Sequence, residues 1–254
     1  MDIAAPLPIR KLDECAILLD VDGTILDLAP TPPQVWVPPS LRQAIGRLSE
    51  RTGGAVALVS GRSLDELDLL FSPLQLPAVG GHGAELRPQA GRGHDYRRAV
   101  PLDAALKRKF AKVAELDPGI LLEDKDYSLA LHFRLAPDLE DRVKAAVERI
   151  CAELTPVPIE ILHGKSVLEI KQRGFSKGSG VRELMRHPPF LDRHPIFVGD
   201  DVTDESVFEI IPEFDGLAFS VGRRIAGVNG HFEEPEAVRG WLAQMAGEGE
   251  GRLP

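Results

Sequence analysis

The sequence predicts an α/β fold in which a parallel sheet forms the core and an α+β domain is inserted into it. Three observations point there. Four short apolar runs, 15–19, 55–59, 195–199 and 217–221, each stop at a turn signal, as strands buried on both faces of a parallel sheet do. Stretches of helical period follow these runs. From about Tyr96 to Gln172 the pattern changes to two helices and paired strands, the mark of a separate α+β unit. The core is therefore expected over 1–95 and 173–254, and the insert over 96–172.

Along the chain, Cys15-Ala16-Ile17-Leu18-Leu19 is the first strand, and Asp20-Val21-Asp22-Gly23-Thr24 ends it. Prolines 30, 32, 33, 38 and 39 stiffen the connection that follows. Ser40 is expected to cap a helix with Leu41, Ile45 and Leu48 on one face, stopped by Gly53-Gly54. The second strand, 55–59, runs into Ser60-Gly61-Arg62, and Ser63-Leu64-Asp65-Glu66 is a capping box for the next helix. Three glycines around His82 then allow close backbone approach before Glu85.

In the insert, 103–115 is helical with Leu106, Phe110 and Val113 as one stripe, and 120–125 is a strand. Residues 127–134 alternate, with Leu129, Leu131 and Phe133 on the apolar side. A second helix over 138–153 turns Val143, Ala146, Val147 and Ile150 inward, and 157–162 pairs with 166–170. Back in the core, Ser176 caps a helix whose first turn carries Lys177, a cation set against the helix dipole. That misfit suggests an anionic partner. The strand 195–199 ends in Asp200-Asp201-Val202-Thr203-Asp204-Glu205, with Thr203 the expected cap. A strand at 217–221 and a helix at 235–245 close the fold.

The net charge of −9 argues against a nucleic-acid-binding surface. No apolar stretch approaches the roughly 18 residues of a membrane span, and the N-terminus lacks the pattern of a signal peptide. Cys15 and Cys151 sit in apolar contexts and read as buried thiols of a reducing compartment, so a cytoplasmic protein is expected, and a monomer.

The chemistry lies at the strand ends. On an extended chain Asp20 and Asp22 point the same way and converge, unless the turn at Gly23 redirects the second. Converging carboxylates call for a divalent cation. An acidic turn or a calcium loop is the plain alternative, but Gly23 comes too early for an EF-hand. Ser60 stands before a helix N-terminus, where an anion docks. Asp200 and Asp201 are acidic with no evident structural reason. A parallel sheet brings such ends to one rim. With Lys177 they supply what phosphoryl transfer needs, and Mg²⁺ suits carboxylate ligands better than zinc does.

D-x-D-G-T, then a Ser, then a Lys, then G-D-D-x-x-D resembles the haloacid-dehalogenase-like (HAD) phosphatases, and more narrowly the trehalose-6-phosphate phosphatases. The narrower likeness rests on Gly81-His82-Gly83-Ala84-Glu85, Leu131-His132-Phe133-Arg134 and Glu169-Ile170-Lys171, with Gln172 where the family has proline. The resemblance implies a Rossmann-like HAD core with a cap domain, Mg²⁺, and hydrolysis of a small-molecule sugar phosphate. It implies Asp20 as nucleophile, Asp22 as acid and base, and Ser60 and Lys177 as holders of the phosphoryl group. The metal would be held by Asp20, Asp22 (through its carbonyl) and Asp200, supported by Asp201, Asp204 and Thr24. Substrate contacts would come from Ser60, Gly61, Arg62, His82, Gly83 and Glu85, and on the cap from Glu123, Lys125, Arg134, Lys165 and Glu169. Another sugar phosphate, such as sucrose phosphate, and a non-catalytic sensor are the alternatives.

Overall fold

The computed structural model describes residues 2–3, 11–28, 35–91, 96–97, 99–125, 127–154, 159–164 and 166–247. Backbone contacts divide the chain into two compact units, 1–98 with 176–254, and 99–175.

The first unit holds strands β1 (Asp2–Ile3), β2 (Cys15–Leu19), β3 (Val56–Val59), β4 (Ala78–Gly80), β5 (Glu85–Arg87), β6 (Tyr96–Arg97), and, after the second unit, β11 (His194–Gly199), β12 (Leu217–Val221) and β13 (Gly230–Phe232). They form one sheet in the order β1-β13-β12-β11-β2-β3-β4-β5-β6. Neighbours from β13 to β4 are parallel, and β1, β5 and β6 are antiparallel additions at the edges.

Both faces are covered, which is why the central strands are apolar without alternation. Cys15, Ile17 and Leu19 pack with helices α1 (Pro39–Arg51), α2 (Leu64–Phe71) and α7 (Pro235–Met245). Ala16 and Leu18 pack on the other side with α5 (Lys177–Leu184) and α6 (Val202–Phe208).

The second unit is a four-stranded antiparallel sheet with helices α3 (Ala104–Ala114) and α4 (Glu140–Ala152). Its strands β7 (Leu121–Asp124), β8 (Ser128–His132), β9 (Ile159–Gly164) and β10 (Val167–Gln172) run in the order β7-β8-β10-β9. Leu129, Leu131, Leu168 and Ile170 join Phe110, Val143 and Val147 in its core.

Three expectations need correction. Ser40 is not the cap of α1: Pro38 holds that position and Pro39 fills the first helical turn, where its fixed φ suits the helix. Asp201, not Thr203, caps α6, and its side chain accepts the Val202 N–H at 2.7 Å. The boundaries expected at 95/96 and 172/173 fall at 98/99 and 175/176, the first because Tyr96–Arg97 pairs with β5 and belongs to the first sheet.

Candidate active site

Asp200, Asp20 and Ser60 each stand one residue beyond the C-terminal ends of β11, β2 and β3, which are consecutive in the sheet. Strand spacing places such ends about 4.8 Å apart. The backbone N–H groups of Asp20 and Ser60 still donate to neighbouring strands, at Val198 O (3.0 Å) and Val79 O (2.8 Å), so both positions are rigid.

Lys177 is buried, and its Nζ donates to Asp20 Oδ1 and Asp204 Oδ1, each at 2.7 Å. This answers the misfit of a cation in the first turn of α5. Ser176 and Ser179 form the capping box that starts this helix. Gly178 lets α5 meet α6: a Cβ there would lie 2.0 Å from Ser206 O, so only glycine allows the approach that puts Lys177 beside Asp204. Burial alone would push the Lys177 ammonium down. The charges of Asp20 and Asp204 outweigh it and hold it above the ordinary lysine range.

Oxygens of Asp20, Asp200 and Asp204 gather within 4.8 Å of one another. Asp204 Oδ2 accepts the N–H groups of Asp200 and Asp201, both at 3.0 Å, and Thr24 Oγ1 donates to Asp200 Oδ1 at 3.1 Å. Asp20 Oδ2 is buried with no hydrogen-bond partner among the described residues. Gly23, at φ +88°, lies so close that a Cβ would sit 2.2 Å from Asp200 Oδ2. An all-oxygen donor set with one buried carboxylate oxygen left unpartnered among the described residues fits a hard divalent cation such as Mg²⁺.

Burial pushes the Asp200 carboxyl up to about 8, and the charges of Asp20 and Asp204 act in the same direction. Asp204 is raised too, by burial and by Asp20, against the pull of Lys177. The folded metal-free chain therefore keeps protons that the unfolded chain releases near pH 4. The stability they give is present at low pH and is lost as pH rises through the folded values. A bound cation displaces these protons, so its stabilisation grows over the same range. Magnesium is expected to raise the melting temperature more at pH 8 than at pH 6. Equal gains in thermal melts at the two pH values would refute this.

The Asp22 carboxylate does not join the cluster. The chain turns at Gly23, and Arg62 takes Asp22 in a two-pronged ion pair, Nε to Oδ2 at 2.6 Å and Nη2 to Oδ1 at 2.8 Å. The expected side-chain convergence of Asp20 and Asp22 is thus replaced by convergence of Asp20, Asp200 and Asp204, and Arg62 is engaged with Asp22. Asp201 acts as the helix cap described above. Ser60 Oγ accepts the Arg62 N–H at 3.1 Å. The His82 backbone takes the left-handed form (φ 54°), its N–H donates to Ser60 O at 3.0 Å, and its imidazole lies against Gly61. Gly83 packs against the backbone of Ser176. Glu85 Oε2 accepts the Leu64 N–H at 2.7 Å, so this carboxylate helps to hold the start of α2.

In the second unit, Glu123 on β7 and Glu169 on β10 flank β8 on one face, in register with Ala130. His132 Nε2 meets Glu123 Oε2 at 2.9 Å, and Lys125 Nζ lies 3.9 Å from the same oxygen. The hydrogen bond from His132, together with Lys125, holds the Glu123 carboxyl below its usual range despite burial. Ser128 Oγ donates to Glu169 Oε1 at 2.6 Å. Arg134 is exposed just beyond β8. Lys165 lies outside the described residues. Lys171, on the same polar face, is buried instead of solvated, and donates to Phe175 O at 2.5 Å with Glu160 at 2.8 Å.

Residues 18–234 match the family model described as trehalose-phosphatase. The chain is 40% identical over 237 residues to a "probable trehalose-phosphate phosphatase" of Sinorhizobium fredii, covering 92% of this chain and 89% of that one. It is 38% identical over 220 residues to the trehalose-6-phosphate phosphatase of Escherichia coli, covering 84% and 82%. Among solved structures, the C-terminal domain of the C. albicans trehalose-6-phosphate phosphatase superposes with a TM-score of 0.82 at 21% identity, over 92% of each chain, which speaks to the fold. A second neighbour is a phosphatase of the HAD superfamily, with a TM-score of 0.62 at 15% identity over 96% of this chain and 99% of that one. With this fold, this rim of strand ends and a match across nearly its whole length, the chain is a phosphatase and belongs to the trehalose-phosphatase family.

Proposed function

We propose that the protein hydrolyses trehalose 6-phosphate to trehalose and phosphate in two steps through a phosphorylated Asp20, with Mg²⁺ as cofactor. The observation that carries this reading is the state of Asp20. One carboxylate oxygen is fixed by Lys177, and the other is buried without a donor among the described residues.

In the first step an Asp20 oxygen attacks phosphorus and the bond from phosphorus to the sugar oxygen breaks. Asp22, once it leaves its ion pair with Arg62 and takes up a proton, gives that proton to the sugar oxygen, and in the second step it takes one from the water that attacks the acyl phosphate. Asp20 is then restored and phosphate leaves. Lys177 and the Ser60 hydroxyl hold phosphoryl oxygens as charge moves onto them. Asp20 and Asp200, with Asp204 behind them and the Asp22 carbonyl as the implied further ligand, would hold Mg²⁺. The ion supplies neutralisation of the transferring group. Glu123, Lys125, Glu169 and Arg134 offer the donors and acceptors that a sugar rich in hydroxyls requires.

Phosphate release should be measured across trehalose 6-phosphate, sucrose phosphate and glucose 6-phosphate, with Mg²⁺ and with a chelator. Turnover is expected to be fastest on trehalose 6-phosphate and to vanish with the chelator. A folded preparation that prefers another sugar phosphate, or ignores the chelator, would overturn the corresponding part.

A further inference from the structure

On the sheet of the second unit, every other residue of β8 shares one face: Ser128, Ala130 and His132. Antiparallel register sets Ala130 directly between Glu123 of β7 and Glu169 of β10. The two carboxylates therefore rise from strands about 9.6 Å apart, twice the strand spacing, over a single methyl group. Each is tethered diagonally to β8. Ser128 Oγ donates to Glu169 Oε1 at 2.6 Å, and His132 Nε2 to Glu123 Oε2 at 2.9 Å. An ionised carboxylate only accepts, so the imidazole carries its proton on Nε2. Ser128 is completely buried, an unusual place for a hydroxyl unless its hydrogen bond matters. Ala130 is buried as well, and any larger side chain there would rise between the two acids.

We infer that Ser128 and His132 are positioning residues for sugar recognition. From one strand they fix the direction of Glu169 and Glu123, and Ala130 puts only a methyl group between the two acids, a span that a disaccharide would bridge. Ser128 and His132 each spare a long, flexible carboxylate the loss of rotamer freedom that binding would otherwise cost. The inference rests on the proposed role of Glu123 and Glu169 as sugar contacts.

The test compares Ser128→Ala, Ser128→Thr and His132→Ala with the unaltered chain on two substrates. One is trehalose 6-phosphate, and the other is p-nitrophenyl phosphate, which has no sugar hydroxyls. Thermal melts check folding. Each alanine variant is expected to raise KM for trehalose 6-phosphate about ten-fold, the value of one hydrogen bond to a charged group, with kcat held within about three-fold. Inhibition by free trehalose should weaken in parallel, aryl phosphate hydrolysis should stay unchanged, and Ser128→Thr, which keeps the hydroxyl, should restore KM. Folded variants with an unchanged KM, or variants that lose both substrates together, would overturn the inference. If the unaltered chain releases no phosphate from trehalose 6-phosphate, the proposed function falls and this inference with it.

Discussion

Asp20→Asn is expected to lower turnover by about 10⁴-fold or more, the scale seen when an enzyme loses its nucleophile. The amide keeps the shape of the side chain but cannot attack phosphorus at a useful rate. It also keeps an oxygen toward Lys177, so the ammonium retains one neutral and one charged acceptor. The variant should therefore fold. It should also bind Mg²⁺ more weakly, because one of the three anions gathered at the cluster is gone. The decisive observation is the covalent intermediate. Unaltered enzyme quenched during turnover should carry phosphate on Asp20, released by hydroxylamine, and the variant should carry none. A folded Asp20→Asn protein that retains more than about a hundredth of the wild-type rate would assign the nucleophile elsewhere.

What the sequence made legible follows from local physics. The central strands are buried on both sides, so their apolar runs were readable without a partner in view. The same holds for the helices with one apolar stripe, such as Leu106, Phe110 and Val113 on α3. Strands of two or three residues, such as β1, β6 and β13, carry too few positions for a period to emerge. The candidate site was legible where it lies at strand ends and hidden where it depends on pairing at a distance. Arg62 and Asp22 are 40 residues apart, and nothing near either one forecast their ion pair. Lys177 signalled a partner through its place at a helix start, and the close approach of α5 and α6 brings it to Asp204, 27 residues away, the residue that the family resemblance pairs with it. The cap of α6, expected at Thr203, falls two residues earlier, on Asp201, because both side chains can accept a backbone N–H and only the observed start of the helix decides between them.

The position of Lys177 leads to the second large effect. Lys177→Met keeps an unbranched chain of similar length and removes the cation from between two buried carboxylates. The side chain is 3% exposed, so solvent offers little screening, and the loss is that of a broken buried ion pair, about 3–5 kcal/mol. For a chain of this size, that corresponds to a melting temperature lower by roughly 10 °C without metal. Turnover should also fall by about 10² to 10³-fold, because a donor that meets developing charge on the phosphoryl group is gone. Two dependences would distinguish this from a simple packing defect. Asp20, Asp200 and Asp204 would stand together with no cation among them, so protonation becomes the way to relieve them. The metal-free variant should then recover stability toward pH 5, since raised carboxyl values give stability at low pH that is lost as pH climbs. Mg²⁺ at pH 8 should restore more stability to the variant than it adds to the unaltered chain, because the ion takes over part of the neutralisation that Lys177 provided. A metal-free variant that melts within a degree or two of the unaltered protein at pH 8, with no added response to acid or to Mg²⁺, would show that Lys177 does not hold this cluster of acids together.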